Sequence, residues 1–233
     1  MFIPDYPGSI VVPAHSSNWR TYANVPKGFV LHTPEEAADN NEVTPYYFQT
    51  ANLFASTHYY ADNDGDIYQM VQEKWSPMAN GVLGKPYPKW ADPNVNLNSQ
   101  TLNIEIEGRA ATIGQTMPVG GVQFDALVKW IKHRGAAYGI PLDREHIIGH
   151  YQVANNRSDP GATFPWEALI AALQEEDDMA ERVWCAERFQ TWVLGKGGAA
   201  PVLTPEDDKV YAAIYGPHTK VMTGAQLDAL LPK

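Results

Sequence analysis

Apolar residues fall in short runs through the first half of the chain, each run bounded by turn-forming residues. Gly28-Phe29-Val30-Leu31 is an unbroken run of this kind, the length of a buried strand and too short for a helix. His32 closes it. Residues up to about Lys27 are rich in Pro, Ser and Asn and read as an irregular leader. From Thr33 to Thr44 the chain is polar and acidic, as in a surface loop, and Pro45 then opens a helix expected over Tyr46 to Asn52, with proline in its favoured place near the first turn.

The period next changes from helical to alternating. His58 to Asp62 and Asp66 to Val71 flank Asp64-Gly65, a dipeptide that accepts the positive φ of a tight turn, so a β-hairpin is expected. Trp75 to Gln100 has many Pro, Asn and Trp residues and no sustained period, and reads as a long loop over a binding face. Leu102, Ile104 and Ile106 alternate with Asn103, Glu105 and Glu107, which puts the apolar side chains on one face of a strand and the carboxylates on the other.

Phe124, Leu127, Val128 and Ile131 recur at helical spacing up to Tyr138, and Gly139 and Pro141 end that helix. His146 to His150 reads as a short strand, and Phe164-Pro165-Trp166 leads into a helix through about Leu173. The acidic run Glu175-Glu176-Asp177-Asp178 marks a boundary between a domain over 1–174, leader 1–27 included, and an appendage over 175–233. In the appendage Val183, Trp184, Phe189, Trp192 and Val193 suggest an amphipathic helix, Gly195 to Ala200 a linker, and the rest a short helical tail.

Composition narrows the partners. With 44% hydrophobic residues, seven Trp and twelve Tyr in 233 positions, the chain has enough apolar surface to fold around a core. A formal net charge of −10 with no basic stripe argues against a nucleic-acid partner. A single cysteine, Cys185, excludes an intrachain disulfide. No apolar run is long enough to span a bilayer, and the first residues lack the charged start and apolar core of a signal peptide.

Chemistry enters with the histidines and acids. A catalytic zinc takes three ligands from His, Asp, Glu or Cys and leaves a position open. His32, His150 and Asp159 each lie at the end of an apolar strand or in the loop beyond it, where side chains from several strands can meet. His146 and His150 are not a helical metal pair, because on a strand they stand about 13 Å apart. His58 is expected to face the core or to orient a neighbour. Asp62-Asn63-Asp64-Gly65-Asp66 lacks the glycine and glutamate positions of a calcium loop. Asn156-Arg157-Ser158 matches a glycosylation triplet that has no consequence without a secretory route.

Four ordered segments carry a resemblance: Phe29-Val30-Leu31-His32-Thr33; Ser56-Thr57-His58-Tyr59 with Asp64-Gly65-Asp66-Ile67-Tyr68-Gln69; Asn103-Ile104-Glu105-Ile106-Glu107-Gly108; and Gly149-His150 through Asp159-Pro160-Gly161. Over about Phe29 to Leu173 the chain resembles the zinc-dependent N-acetylmuramoyl-L-alanine amidases, a family that includes phage lysins and is related to peptidoglycan recognition proteins. The resemblance implies an α+β fold, a central mixed sheet flanked by helices, with zinc at the floor of a groove at one edge of the sheet. It implies His32, His150 and Asp159 as zinc ligands and Glu105 as the general base that takes a proton from water and returns one to the leaving amine.

Departures from the family pattern modify this picture. Arg157 stands where lysine is common, which suits it to stabilise an oxyanion but not to donate a proton. Thr57 stands where some phage members have tyrosine, and Met78-Ala79-Asn80-Gly81 where many have Trp-His-Ala-Gly. Trp75 or Trp90 is then the expected sugar-stacking surface, with Thr57 beside the substrate. The implied activity is cleavage of the amide between N-acetylmuramic acid and L-alanine in peptidoglycan, by a phage or prophage endolysin made in the cytoplasm and acting at the wall, with no nucleic acid and no membrane insertion involved. A cytosolic muropeptide-recycling amidase and a non-catalytic peptidoglycan-binding module are the alternatives.

Overall fold

The computed structural model describes residues 2–36, 43–175, 181–185, 190–195, 198–201 and 220–222. Two compact units divide the chain, Met1–Glu175 and Glu176–Lys233.

The first unit is built on strands β1 (Ile10–Val11), β2 (Trp19–Ala23), β3 (Gly28–His32), β4 (Tyr59–Ala61), β5 (Ile67–Gln69), β6 (Trp75–Pro77), β7 (Thr101–Ile106) and β8 (Ile147–Gly149). Helices α1 (Val43–Tyr47), α2 (Ile113–Thr116), α3 (Val122–Tyr138) and α4 (Trp166–Gln174) complete it. Six strands form one mixed sheet in the order β1-β5-β4-β7-β3-β8. Only the β4–β5 hairpin pairs antiparallel in it. β2 and β6 form a separate two-stranded ribbon.

β3 lies between two parallel neighbours and is buried along its whole length, the setting in which a strand carries a continuous apolar run. Its alternate side chains define two faces. Phe29 and Leu31, with Leu102, Ile104, Ile106, Tyr59, Ala61 and Ile147, join Trp130 and Leu127 of α3 and Leu169 of α4 in the main core. Val30 and Ile148 face the other way, into a cluster with Leu97 and Trp90 from the long loop. Helices thus cover one face, and the segment 75–100 lies over the other.

The β4–β5 turn follows expectation: Gly65 has φ +86, and its N–H reaches the Asp62 carbonyl at 3.2 Å. Gly139 closes α3 at φ 65 with its N–H on the Gly135 carbonyl. The leader differs from the irregular segment expected, because β1 pairs with β5 and β2 with β6. Side chains hold it there: Gln69 exchanges hydrogen bonds with Asp5 at 2.7 and 2.5 Å, and Arg134, paired with the buried Glu73, donates to the Asp5 carbonyl at 2.9 Å.

The first helix is shifted from Tyr46–Asn52 to Val43–Tyr47. Asn18 explains its early end, since its amide donates to the carbonyls of Phe48 at 2.9 Å and Thr50 at 2.8 Å. Those carbonyls therefore need no helical partner, and Phe48 turns into a cluster with Val12, Tyr60 and Tyr68.

The second unit corrects the helical appendage. β9 (Glu181–Cys185), β10 (Gln190–Gly195), β11 (Gly198–Pro201) and β12 (Lys220–Met222) make a four-stranded sheet ordered β11-β10-β9-β12. Val183, Trp184, Trp192 and Val193 are β-branched or aromatic and suit strands better than a helix. Gly195 and Gly198, read as linker, face each other across the β10–β11 pair. Phe189 and the remaining tail positions lie outside the described residues.

His58 is fully buried below the sheet face. Its Nδ1 accepts the Asn103 N–H at 3.1 Å and its Nε2 donates to the Trp75 carbonyl at 3.0 Å, so the ring is neutral, and burial pushes its pKa down to about 3. Between about pH 6.5 and that value the unfolded chain binds a proton that the folded chain does not, so stability rises with pH there and falls on acidification. The slope from this group is about 1.4 kcal/mol per pH unit. Urea unfolding at pH 7 and pH 5 should show that loss in the wild type and a smaller one in His58→Gln; equal losses would exclude His58 as a source.

Candidate metal centre

His32 ends β3 on the face opposite the helical core, and the register sets it beside Glu105 of β7. His150 follows β8 immediately, in the turn His150–Gln152. Asp159 arrives from the next loop, whose carbonyl accepts the Tyr151 N–H at 3.1 Å. Gly161 seats that loop: its φ is +110, and a Cβ there would lie 2.0 Å from the Ala110 carbonyl oxygen.

These three side chains converge. His32 Nδ1 lies 3.0 Å from His150 Nδ1 and 3.3 Å from Asp159 Oδ2, and His150 Nδ1 lies 3.1 Å from the same oxygen. All three residues are buried. The trio is the group of His, Cys, Asp and Glu side chains found among the described residues that can hold a metal ion.

The donor set fits a cation. A tetrahedral ion bound at about 2.0–2.1 Å separates its ligand atoms by about 3.3 Å, close to the observed triangle. Each Nε2 already faces an acceptor, Asn103 Oδ1 at 3.2 Å for His32 and the Asn80 carbonyl at 3.2 Å for His150. A neutral imidazole has one N–H, so both rings spend it at Nε2 and turn bare Nδ1 lone pairs toward a carboxylate. Three acceptors within 3.3 Å of one another suit a cation between them.

Electrostatics agree with this arrangement. Burial lowers the His32 pKa, opposed by the neighbouring Asp159 carboxylate. For Asp159 burial acts to raise the pKa, but the imidazoles of His150 and His32 beside it prevail and hold it below the usual carboxylate range. Glu105 is raised well above its ordinary value, first by burial and then by the Asp159 and Glu36 carboxylates, while Arg157 acts in the opposite sense. Glu105 Oε2 is buried without a hydrogen-bond partner.

Other positions read from the sequence fall elsewhere. Arg157 is exposed in the loop before Asp159, within electrostatic reach of Glu105. Thr57 has no exposed surface, and its hydroxyl has no partner, so it offers nothing to a substrate at the surface. Trp75 stacks on Trp19, ring centroids 6.3 Å apart, and belongs to the β2–β6 ribbon. Trp90 packs over Gly28 and His146, at the start of β3. His32 is at the other end of that strand, about 13 Å away at the rise of an extended chain. Neither tryptophan is at the trio. Asn103 and Asn80, which orient the histidines, were not singled out from sequence, although Asn103 shares the alternation that marks Glu105.

Fold and trio together define an α+β domain with three side chains able to hold a metal ion on one face of its sheet. A family model described as N-acetylmuramoyl-L-alanine amidase matches residues 22–162. Over 178 residues the chain is 30% identical to N-acetylmuramoyl-L-alanine amidase A of Achromobacter lyticus, covering 70% of this chain and 91% of that protein. The crystal structure of AmpD is similar with a TM-score of 0.52 at 21% identity, over 74% of this chain and 99% of that one. The catalytic domain of XlyA is similar with a TM-score of 0.51 at 17% identity, over 70% and 99%.

The chain belongs to the N-acetylmuramoyl-L-alanine amidase family. Amidase action on peptidoglycan is the activity that membership supports. No helix among the described residues is long and apolar enough to cross a membrane.

Proposed function

We propose that this protein is a zinc-dependent amidase that hydrolyses the amide between the lactyl group of N-acetylmuramic acid and L-alanine of the stem peptide, and that it acts as a phage or prophage endolysin. The observation that carries the zinc reading is the triangle of two bare imidazole nitrogens and one carboxylate oxygen, 3.0–3.3 Å on a side. His32, His150 and Asp159 would hold the ion. Zinc supplies Lewis acidity when bound: it polarises a carbonyl and makes water acidic enough to lose a proton near neutral pH.

The chain's own groups supply the rest. Glu105, paired in register with His32 and with Oε2 free of protein partners, takes the proton of the attacking water and delivers it to the nitrogen of the departing L-alanine. Its neighbours favour the protonated form after that first transfer, since burial and the carboxylates of Asp159 and Glu36 all oppose a negative charge there. Arg157 carries a permanent positive charge and offers it to the carbonyl oxygen as that atom becomes negative. Amide cleavage then needs no further acid from Arg157.

Intact sacculi and soluble anhydro-muropeptides test the proposal together. Incubated with the zinc-loaded protein, sacculi should release stem peptides free of muramic acid, read by mass spectrometry, and a chelator should stop the release. Turnover of the soluble substrate alone would replace the endolysin by a recycling enzyme. Retention of muropeptides without turnover of either substrate would leave a binding module and defeat the amidase reading.

A further inference from the structure

The two imidazoles present Nδ1 to the same point only if both carry their proton on Nε2, and for His32 a buried hydroxyl determines that choice. Thr101 Oγ1 donates to the Leu97 carbonyl at 2.9 Å. A hydroxyl has one hydrogen, so toward its other neighbours Oγ1 can only accept. The Asn103 amide nitrogen lies 3.0 Å from it and the Asn80 amide nitrogen 3.3 Å. Thr101 and Asn103 have no exposed surface and Asn80 has 1%.

This polarity passes outward through Asn103. Because Asn103 gives its NH₂ to Thr101, its Oδ1 is the end that faces His32 Nε2 at 3.2 Å, and Nε2 must be the protonated nitrogen. Reversing the Asn103 amide would set two acceptors against each other at Thr101 and turn an N–H toward His32 Nε2. The ring proton would then move to Nδ1, into the space between His150 and Asp159. His150 needs no such control, because its Nε2 faces the backbone carbonyl of Asn80 at 3.2 Å, which can only accept.

We infer that Thr101 is a positioning residue for the metal centre: its hydroxyl, acting through the Asn103 amide, holds His32 in the tautomer that leaves Nδ1 free to bind a cation. Thr101 touches neither ligand. Its place two residues before Asn103 and four before Glu105 on one face of β7 makes the strand carry the base and the tautomer control of His32 together. The inference rests on the reading of the trio as a metal site.

Zinc affinity of the full chain, measured by competition with a chromophoric chelator, is the test, with ¹⁵N spectra of the metal-free imidazoles as a second readout. Thr101→Val keeps the shape of the side chain and removes the acceptor. It should weaken zinc binding about 10- to 100-fold, as the loss of groups that orient metal ligands does, and move the His32 proton from Nε2 to Nδ1. Thr101→Ser should keep wild-type affinity.

Thr101→Ala, which also lacks the hydroxyl, should show the same loss of affinity. Unfolding curves of the metal-free proteins check the fold, and Thr101→Ala puts the same question should Thr101→Val fail to fold. Wild-type affinity in a folded Thr101→Val or Thr101→Ala would overturn the role of Thr101. A wild type that binds no zinc would instead defeat the metal reading beneath it.

Discussion

His150→Ala is expected to empty the metal centre and reduce release of stem peptides from sacculi to the level of a protein-free control. Outer groups that orient a ligand cost about 10- to 100-fold in metal affinity; removing one of three ligands costs more, because His32 and Asp159 then face the ion across an unfilled side. Metal analysis after dialysis reads the loss directly. Thermal unfolding reads it independently, since a ligand at 1,000 times its dissociation constant stabilises the native state by about 4 kcal/mol. Zinc should raise the unfolding temperature of the wild type and leave that of the variant unchanged. An equal rise in both, with equal peptide release, would remove His150 from the centre.

Glu105→Gln is expected to separate binding from catalysis. The amide is nearly the shape of the carboxylate but cannot accept the proton of the attacking water, so kcat should fall about 10²- to 10⁴-fold, the range for a lost general base. Zinc affinity should stay at its wild-type value, because Glu105 is outside the triangle of His32, His150 and Asp159. The pH profile has a defined sign: a base must be ionised, so wild-type activity rises with pH through the raised pKa of Glu105, and the variant should lose that limb. A variant that keeps the limb would assign it to another group.

Much of this arrangement is legible in the sequence because strand alternation is a local signal. Leu102, Ile104 and Ile106 are buried in the core as their spacing requires, and Asn103 and Glu105 face the other way, toward His32. The αL glycine after Tyr138 is equally local. Strand order is not, because β3 pairs with β7 across about 70 residues and with β8 across more than a hundred.

Where the reading went astray, distant partners decided. Asn18 ends the first helix from 30 residues away, and nothing near Phe48 announces it. Trp75 and Trp90 have partners that local sequence does not announce, Trp19 from 56 residues away and Gly28 from 62. In the second unit the spacing of Val183, Trp184 and Trp192 also suits a helical face, and pairing between β9 and β10 makes strands of them. The group that orients His32 was partly legible: Asn103 shares the alternation of Glu105, but the way its amide points depends on Thr101, whose hydroxyl is committed to Leu97.

The strapped leader also bears on how the protein behaves among copies of itself. β1 closes one margin of the six-stranded sheet by pairing with β5, and Arg134 with Glu73 ties down the segment that precedes it. Trimming the first dozen residues would leave the backbone amides and carbonyls of Ile67 to Gln69 open along that margin, a template on which another chain can add a strand. The amino-terminal segment thus guards against aggregation as well as completing the fold.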